Sequence, residues 1–132
     1  TLKLVNNFIS IGTSAVVAEA LATAAKLGVD LRTLHQVVSA GGANSRMYQM
    51  MIPWALEGDD SLLRGPLRIA GKDMRFWCRL AEGAGAPAFL AETVCQIYRA
   101  ANAQGHGERF VPVLPQILAE AMGAHIRDLP PG

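Results

Sequence analysis

The 132 residues suffice for one domain with a sizeable core, and 51% of them are hydrophobic. Twelve Lys and Arg against 11 Asp and Glu leave a net charge of +1 without a basic run, which excludes the charge footprint of a nucleic-acid binder or a polybasic membrane patch. No secretory-leader pattern opens the sequence, and Cys78 and Cys95 sit in helical patterns as small apolar residues, so they read as free thiols of a reducing, cytoplasmic compartment.

The first predicted helix runs from about residue 2 to Lys26 or Leu27 and stops at Gly28, with Val29 as the apolar residue that follows such a cap. Lys3, Asn7, Ser10 and Ser14, spaced by 4, 3 and 4, form a polar stripe along a rod otherwise made of Leu4, Val5, Phe8, Ile9, Ile11, Ala15, Val16 and Ala18. Such a stripe must face solvent, a partner or a cleft. The five polar residues between Leu4 and Ala18, and the charge of Glu19, argue against a bilayer span. The length and apolarity of this helix call for more than one neighbour, including a second domain or subunit.

Asp30 caps a predicted short helix with Leu31, Leu34, Val37 and Val38, closed by Gly41-Gly42. Asn44 is the expected cap of a helix from Ser45 to Ile52, where Pro53 interrupts and starts a separate turn to Glu57. Beyond the Arg64-Gly65-Pro66 hinge, a helix spans Leu67 to Glu82 and ends at Gly83 and Gly85. Pro87 reads as a first-turn residue of the next helix, through Ala101, stopped by Gly105-His106-Gly107. A last helix covers Val113 to Met122, and the tail from Asp128 to Gly132 reads as disordered. No stretch alternates with period two, so the fold class is all-α, a multi-helix domain built around its first helix.

Lys3-Leu4-Val5-Asn6-Asn7 at the head of a long helix, with Ala18-Glu19-Ala20-Leu21 downstream, resembles the start of the C-terminal domain of the β-hydroxyacid dehydrogenases, the 3-hydroxyisobutyrate dehydrogenase family. Further along, Gly28-Val29-Asp30, Ser45, Pro53, Gly58-Asp59, Lys72-Asp73, Gly85 with Pro87, and Gly105-His106-Gly107 extend the resemblance to about Leu118. It implies the helical fold shared with the 6-phosphogluconate dehydrogenase C-terminal domain. It also implies Lys3 as catalytic acid/base, Asn7 with Asn6 at the substrate, and Lys72 at the nicotinamide side of the cofactor, NAD or NADP. Asp73 is expected to support local structure. Arg46 stands where many members carry tryptophan, and Glu108-Arg109-Phe110 replaces an acidic cluster.

The implied activity is oxidation of a small 3-hydroxy acid by hydride transfer, which needs a base for the hydroxyl proton and a group fixing the substrate's pose. A neutral lysine and an amide one turn apart suit those tasks. Gly41-Gly42-Ala43-Asn44 lacks a preceding strand, so no dinucleotide loop is present. The expected arrangement is therefore a helical domain over residues 1–124 with a tail at 125–132, completed by an N-terminal Rossmann domain absent from this chain. Alone it should be inactive, and the expected assembly is a homo-oligomer through the first helix.

Two alternatives stand beside it. One is a non-catalytic helical dimerisation module with an idle lysine motif. The other is a 6-phosphogluconate dehydrogenase-like relative, against which Asn6 and Ser10 occupy that family's histidine and glutamate positions. His35, His106 and His125 share no metal spacing, so no metal site is expected. Met47, Met50 and Met51 read as packing against a mobile or interdomain surface, and Trp54 and Trp77 as core or interface aromatics.

Overall fold

In the computed structural model, which describes residues 1–131, one helix organises the others. This is α1 (Leu2–Lys26), on which four further helices pack: α3 (Arg46–Glu57), α4 (Leu67–Gly83), α5 (Phe89–Ala103) and α6 (Leu114–Ala121). A short α2 (Leu31–Ala40) bridges α1 and α3. By length and composition α1 could span a bilayer, but its Ala15, Val17, Ala18, Leu21 and Ala22 are spent on the protein core. Among the described residues there are six α-helices, one 3₁₀ turn (Val111–Val113) and no strand, only an isolated bridge between Pro66 and Phe110. The all-α expectation holds.

The helix ends follow local chemistry. After α1, Gly28 takes a φ of +75° while its N–H bonds to Ala25 and that of Val29 to Ala24, the paired closure that only glycine enters without strain. Asp30 caps α2 by accepting from the Thr33 N–H at 3.2 Å. The cap of α3 is Ser45 rather than Asn44: Ser45 Oγ accepts from the Tyr48 N–H at 3.0 Å, while Asn44 Oδ1 takes the Gln49 side chain at 2.8 Å.

Pro53 does not interrupt α3, which runs through it to Glu57. A proline removes one helical hydrogen bond, and the burial of Met51, Ile52, Trp54 and Ala55 around it outweighs that loss. Pro87 sits just before the N-cap Ala88 instead of in the first turn of α5. Met51 and Trp54 are core residues, 0% and 2% exposed, whereas Met47 and Met50 are half-buried, Met47 against the core.

The start of α4 has no side-chain cap; instead the Leu67 and Arg68 N–H groups donate to the Arg109 and Gly107 carbonyls at 2.8 and 2.9 Å. Asn102 of α5 lies between Gly71 and Gly107, and a Cβ at either glycine would come within 3.1 Å of its amide. The glycines let α4, α5 and the 105–109 loop close on one another, which fixes the helix carrying Lys72 and Asp73.

The tail is docked rather than disordered. Buried Gln116 accepts through Oε1 from the Ile126 and Arg127 N–H groups at 2.7 and 3.1 Å. Arg127 Nη2 donates to the Leu56 carbonyl at 2.9 Å, Arg109 donates to the Pro130 carbonyl, and Leu129 packs on the core. Composition marks this segment as irregular, but its backbone partners lie on helices distant in sequence. Gly132 lies outside the described residues.

Candidate functional site

Four of the sequence-selected residues occupy two adjoining helices. Lys3 and Asn6 are exposed in the first two turns of α1, Asn7 is half-buried, and Lys72 is exposed on α4. At 3.6 residues per turn Asn6 points about 100° away from Asn7, whereas Lys3 shares its face. Lys72 Nζ stands 5.8 Å from the centroid of the Phe76 ring on its own helix.

The two motifs meet through one bond: Asn7 Nδ2 donates to Asp73 Oδ2 at 3.3 Å. Next to it, the Phe8 and Trp77 rings stack with centroids 4.9 Å apart and planes at 12°, clamping α1 to α4 one residue beyond Asn7 and one turn beyond Asp73. Asp73, assigned by the sequence to local support, is thus the residue that joins the lysine-asparagine helix to the second lysine. The signal available for it was its position beside Lys72; its partner 66 residues away was not legible.

The polar stripe splits as it descends α1. Ser14, 0% exposed, shares a 2.5 Å hydrogen bond with the Tyr98 hydroxyl of α5 and donates to the Ile11 carbonyl. It belongs to the core. Burial drives the Tyr98 phenol well above its ordinary range, with the Ser14 hydrogen bond opposing. The stripe is therefore buried at Ser14, half-buried at Ser10 and Asn7, and exposed at Lys3.

The histidines are engaged singly: His35 Nδ1 with the Tyr48 hydroxyl at 3.0 Å, His106 Nδ1 accepting from Arg109 Nε at 3.0 Å, and His125 with Gln116 and Asp128. The free thiols Cys78 and Cys95 face each other's helices; Cys78 is pushed up to about 11 by burial first, then by the Glu92 charge and its cysteine neighbour.

The described residues thus present two exposed lysines, Lys3 and Lys72, and an amide held by Asp73 on two adjoining helices, with no strand among them. Residues 1–111 match the family described as NAD-binding of NADP-dependent 3-hydroxyisobutyrate dehydrogenase, and the chain belongs to that family of the β-hydroxyacid dehydrogenases. It is 29% identical to the L-threonate dehydrogenase of Cupriavidus necator over 80% of this chain and 35% of that protein. It is 32% identical to glyoxylate/succinic semialdehyde reductase 2, chloroplastic, of Arabidopsis thaliana over 79% of this chain and 29% of that one.

The crystal structure of 3-hydroxyisobutyrate dehydrogenase from Salmonella typhimurium superposes with a TM-score of 0.82 at 26% identity, covering 89% of this chain and 41% of that one. The chain thus spans about a third of the length of these curated relatives. The fold is that of the all-α C-terminal domain of the family, and the family's cofactor is NAD(P).

Proposed function

We propose that this chain is the helical C-terminal domain of an NAD(P)-dependent oxidoreductase that oxidises a small 3-hydroxy acid, with Lys3 as acid/base, Asn7 and Asn6 at the substrate and Lys72 at the cofactor. The observation that carries the reading is the Asn7–Asp73 hydrogen bond, which puts the Lys3–Asn7 face of α1 against the helix bearing Lys72. The donor set fits the nicotinamide end of the cofactor: exposed Lys72 brings a donor for its ribose hydroxyls. A second, N-terminal Rossmann domain would hold the pyrophosphate, since no strand-to-helix glycine turn occurs among the described residues.

NAD(P) supplies the hydride acceptor. Lys3, as the neutral amine, takes the hydroxyl proton while the hydride leaves the same carbon. Burial favours that neutral form, so the reading requires the exposed Lys3 to be covered by the rest of the protein. Asn7 fixes the hydroxyl or the carboxylate of the acid in line for transfer. The relatives are named for L-threonate and for glyoxylate and succinic semialdehyde, which supports small hydroxy acids and their carbonyl counterparts as the substrate class. The two free thiols support a reducing, cytoplasmic setting.

The test is hydride transfer by the full-length protein with NAD and NADP against a panel of 3-hydroxy acids. Lys3→Ala is expected to lower turnover by about 100-fold or more with cofactor binding retained. Equal turnover in the variant would leave the association-module reading.

That second reading has its own support in an apolar face beside the site. Ile9 and Val16 of α1 are 62% and 68% exposed, and Phe89 and Leu90 of α5 are 82% and 72% exposed. Together with Gly12, Ile9, Val16 and Leu90 line a groove of about 340 Å³. A homo-oligomer through α1 would cover it.

A further inference from the structure

We propose that Asp73 is a positioning residue that sets which end of the Asn7 amide faces the substrate, a proposal that rests on the reading of Asn7 as a substrate ligand. An asparagine amide has a donor end and an acceptor end of nearly equal size, and either can face a cleft. A carboxylate can only accept. The Asn7 Nδ2–H bond to Asp73 Oδ2 at 3.3 Å therefore draws the NH₂ end toward α4 and turns Oδ1 away from it. Among the described residues Asp73 enters no ion pair, so its charge is not consumed by Lys72 or another cation.

Contacts on both helices brace this bond. The Phe8–Trp77 stack lies one residue beyond Asn7 and one turn beyond Asp73, and the start of α4 is tied to the Gly107 and Arg109 carbonyls. The consequence is a preference in recognition. An Oδ1 turned outward accepts a hydrogen bond. The single proton of the reacting hydroxyl goes to Lys3, so Oδ1 pairs with another donor, such as a further hydroxyl of a polyhydroxy acid. One N–H of Asn7 remains for the acid's carboxylate. With Asp73→Asn the partner can also donate, so both orientations of Asn7 become available.

The experiment uses the full-length protein with NADP and with 3-hydroxyisobutyrate and L-threonate as probe acids, in Asn7→Ala, Asp73→Ala, Asp73→Asn and the Asn7→Ala/Asp73→Ala double variant. Asn7→Ala is expected to lower kcat/KM for the acid by about 100-fold and Asp73→Ala by about 10-fold, with the KM for nucleotide unchanged. The double variant should be no slower than Asn7→Ala, because Asp73 acts through the missing amide. Multiplying losses, or a raised nucleotide KM in Asp73→Ala, would overturn the proposal and leave the site reading standing. An Asn7→Ala enzyme as fast as the parent would overturn the site reading itself. Side-chain amide resonances of Asn7 in ¹⁵N-asparagine-labelled protein decide the hydrogen bond without turnover. A shift on Asp73→Ala supports it, and unchanged resonances remove it.

Discussion

Ser14 and Tyr98 show how one hydrogen bond can have two unequal ends. Tyr98 is wholly buried and its hydroxyl reaches Ser14 Oγ, whereas Ser14 also has the Ile11 carbonyl. Ser14→Ala strands a buried phenol and should cost about 1–3 kcal/mol in urea unfolding; Tyr98→Phe leaves Ser14 satisfied and should cost about 0.5–1.5 kcal/mol. Equal costs would mean that the phenol finds another partner. The sequence marked Ser14 as polar and in register with Lys3 and Asn7, but could not say that it faces inward. Periodicity places a residue on a helical face; what lies opposite that face comes from a segment 84 residues away.

Helix ends follow local chemistry only where no distant contact competes with it. Gly28 closes α1 and Asp30 opens α2 as expected, because each acts within about four residues of chain. Asn44 and Ser45 are both good caps, and local preference alone does not rank them. The structure assigns the cap to Ser45 because Asn44 is taken by Gln49. Ser45→Ala should therefore lower the stability of the protein by about 1 kcal/mol, and Asn44→Ala by clearly less, both read from urea midpoints. Pro53 stays inside α3 for a related reason: its local helix penalty is about 3 kcal/mol, and only tertiary burial of the residues around it can exceed that.

Across the whole molecule, stability also depends on alkaline pH. Tyr98 and Cys78 both keep their protons in the folded state above the ordinary values of 10.0 and 9.0 that govern the unfolded chain. Above about pH 9 the unfolded state sheds protons that the folded state retains, so stability falls as pH rises. Urea midpoints measured from pH 7 to 11 should be level at first and then decline, and Cys78→Ser should delay the onset by removing the first of the two groups. The exposed face of Ile9, Val16, Phe89 and Leu90 makes a second prediction, for sedimentation of the full-length protein. The parent should run as a dimer or larger and Val16→Glu as a monomer with unchanged helix content; a monomeric parent would remove the oligomer. The sequence by itself determined the all-α class, the span of most helices and the lysine-asparagine motif that carries the family resemblance, since these depend on patterns within a few turns of chain. Tertiary structure alone decided that Asn7 meets Asp73, that Ser14 turns to Tyr98, that Pro53 stays inside a helix and that the tail docks on Gln116. Each of those depends on which distant surfaces pack together, and a burial free energy summed over many contacts can override any local preference.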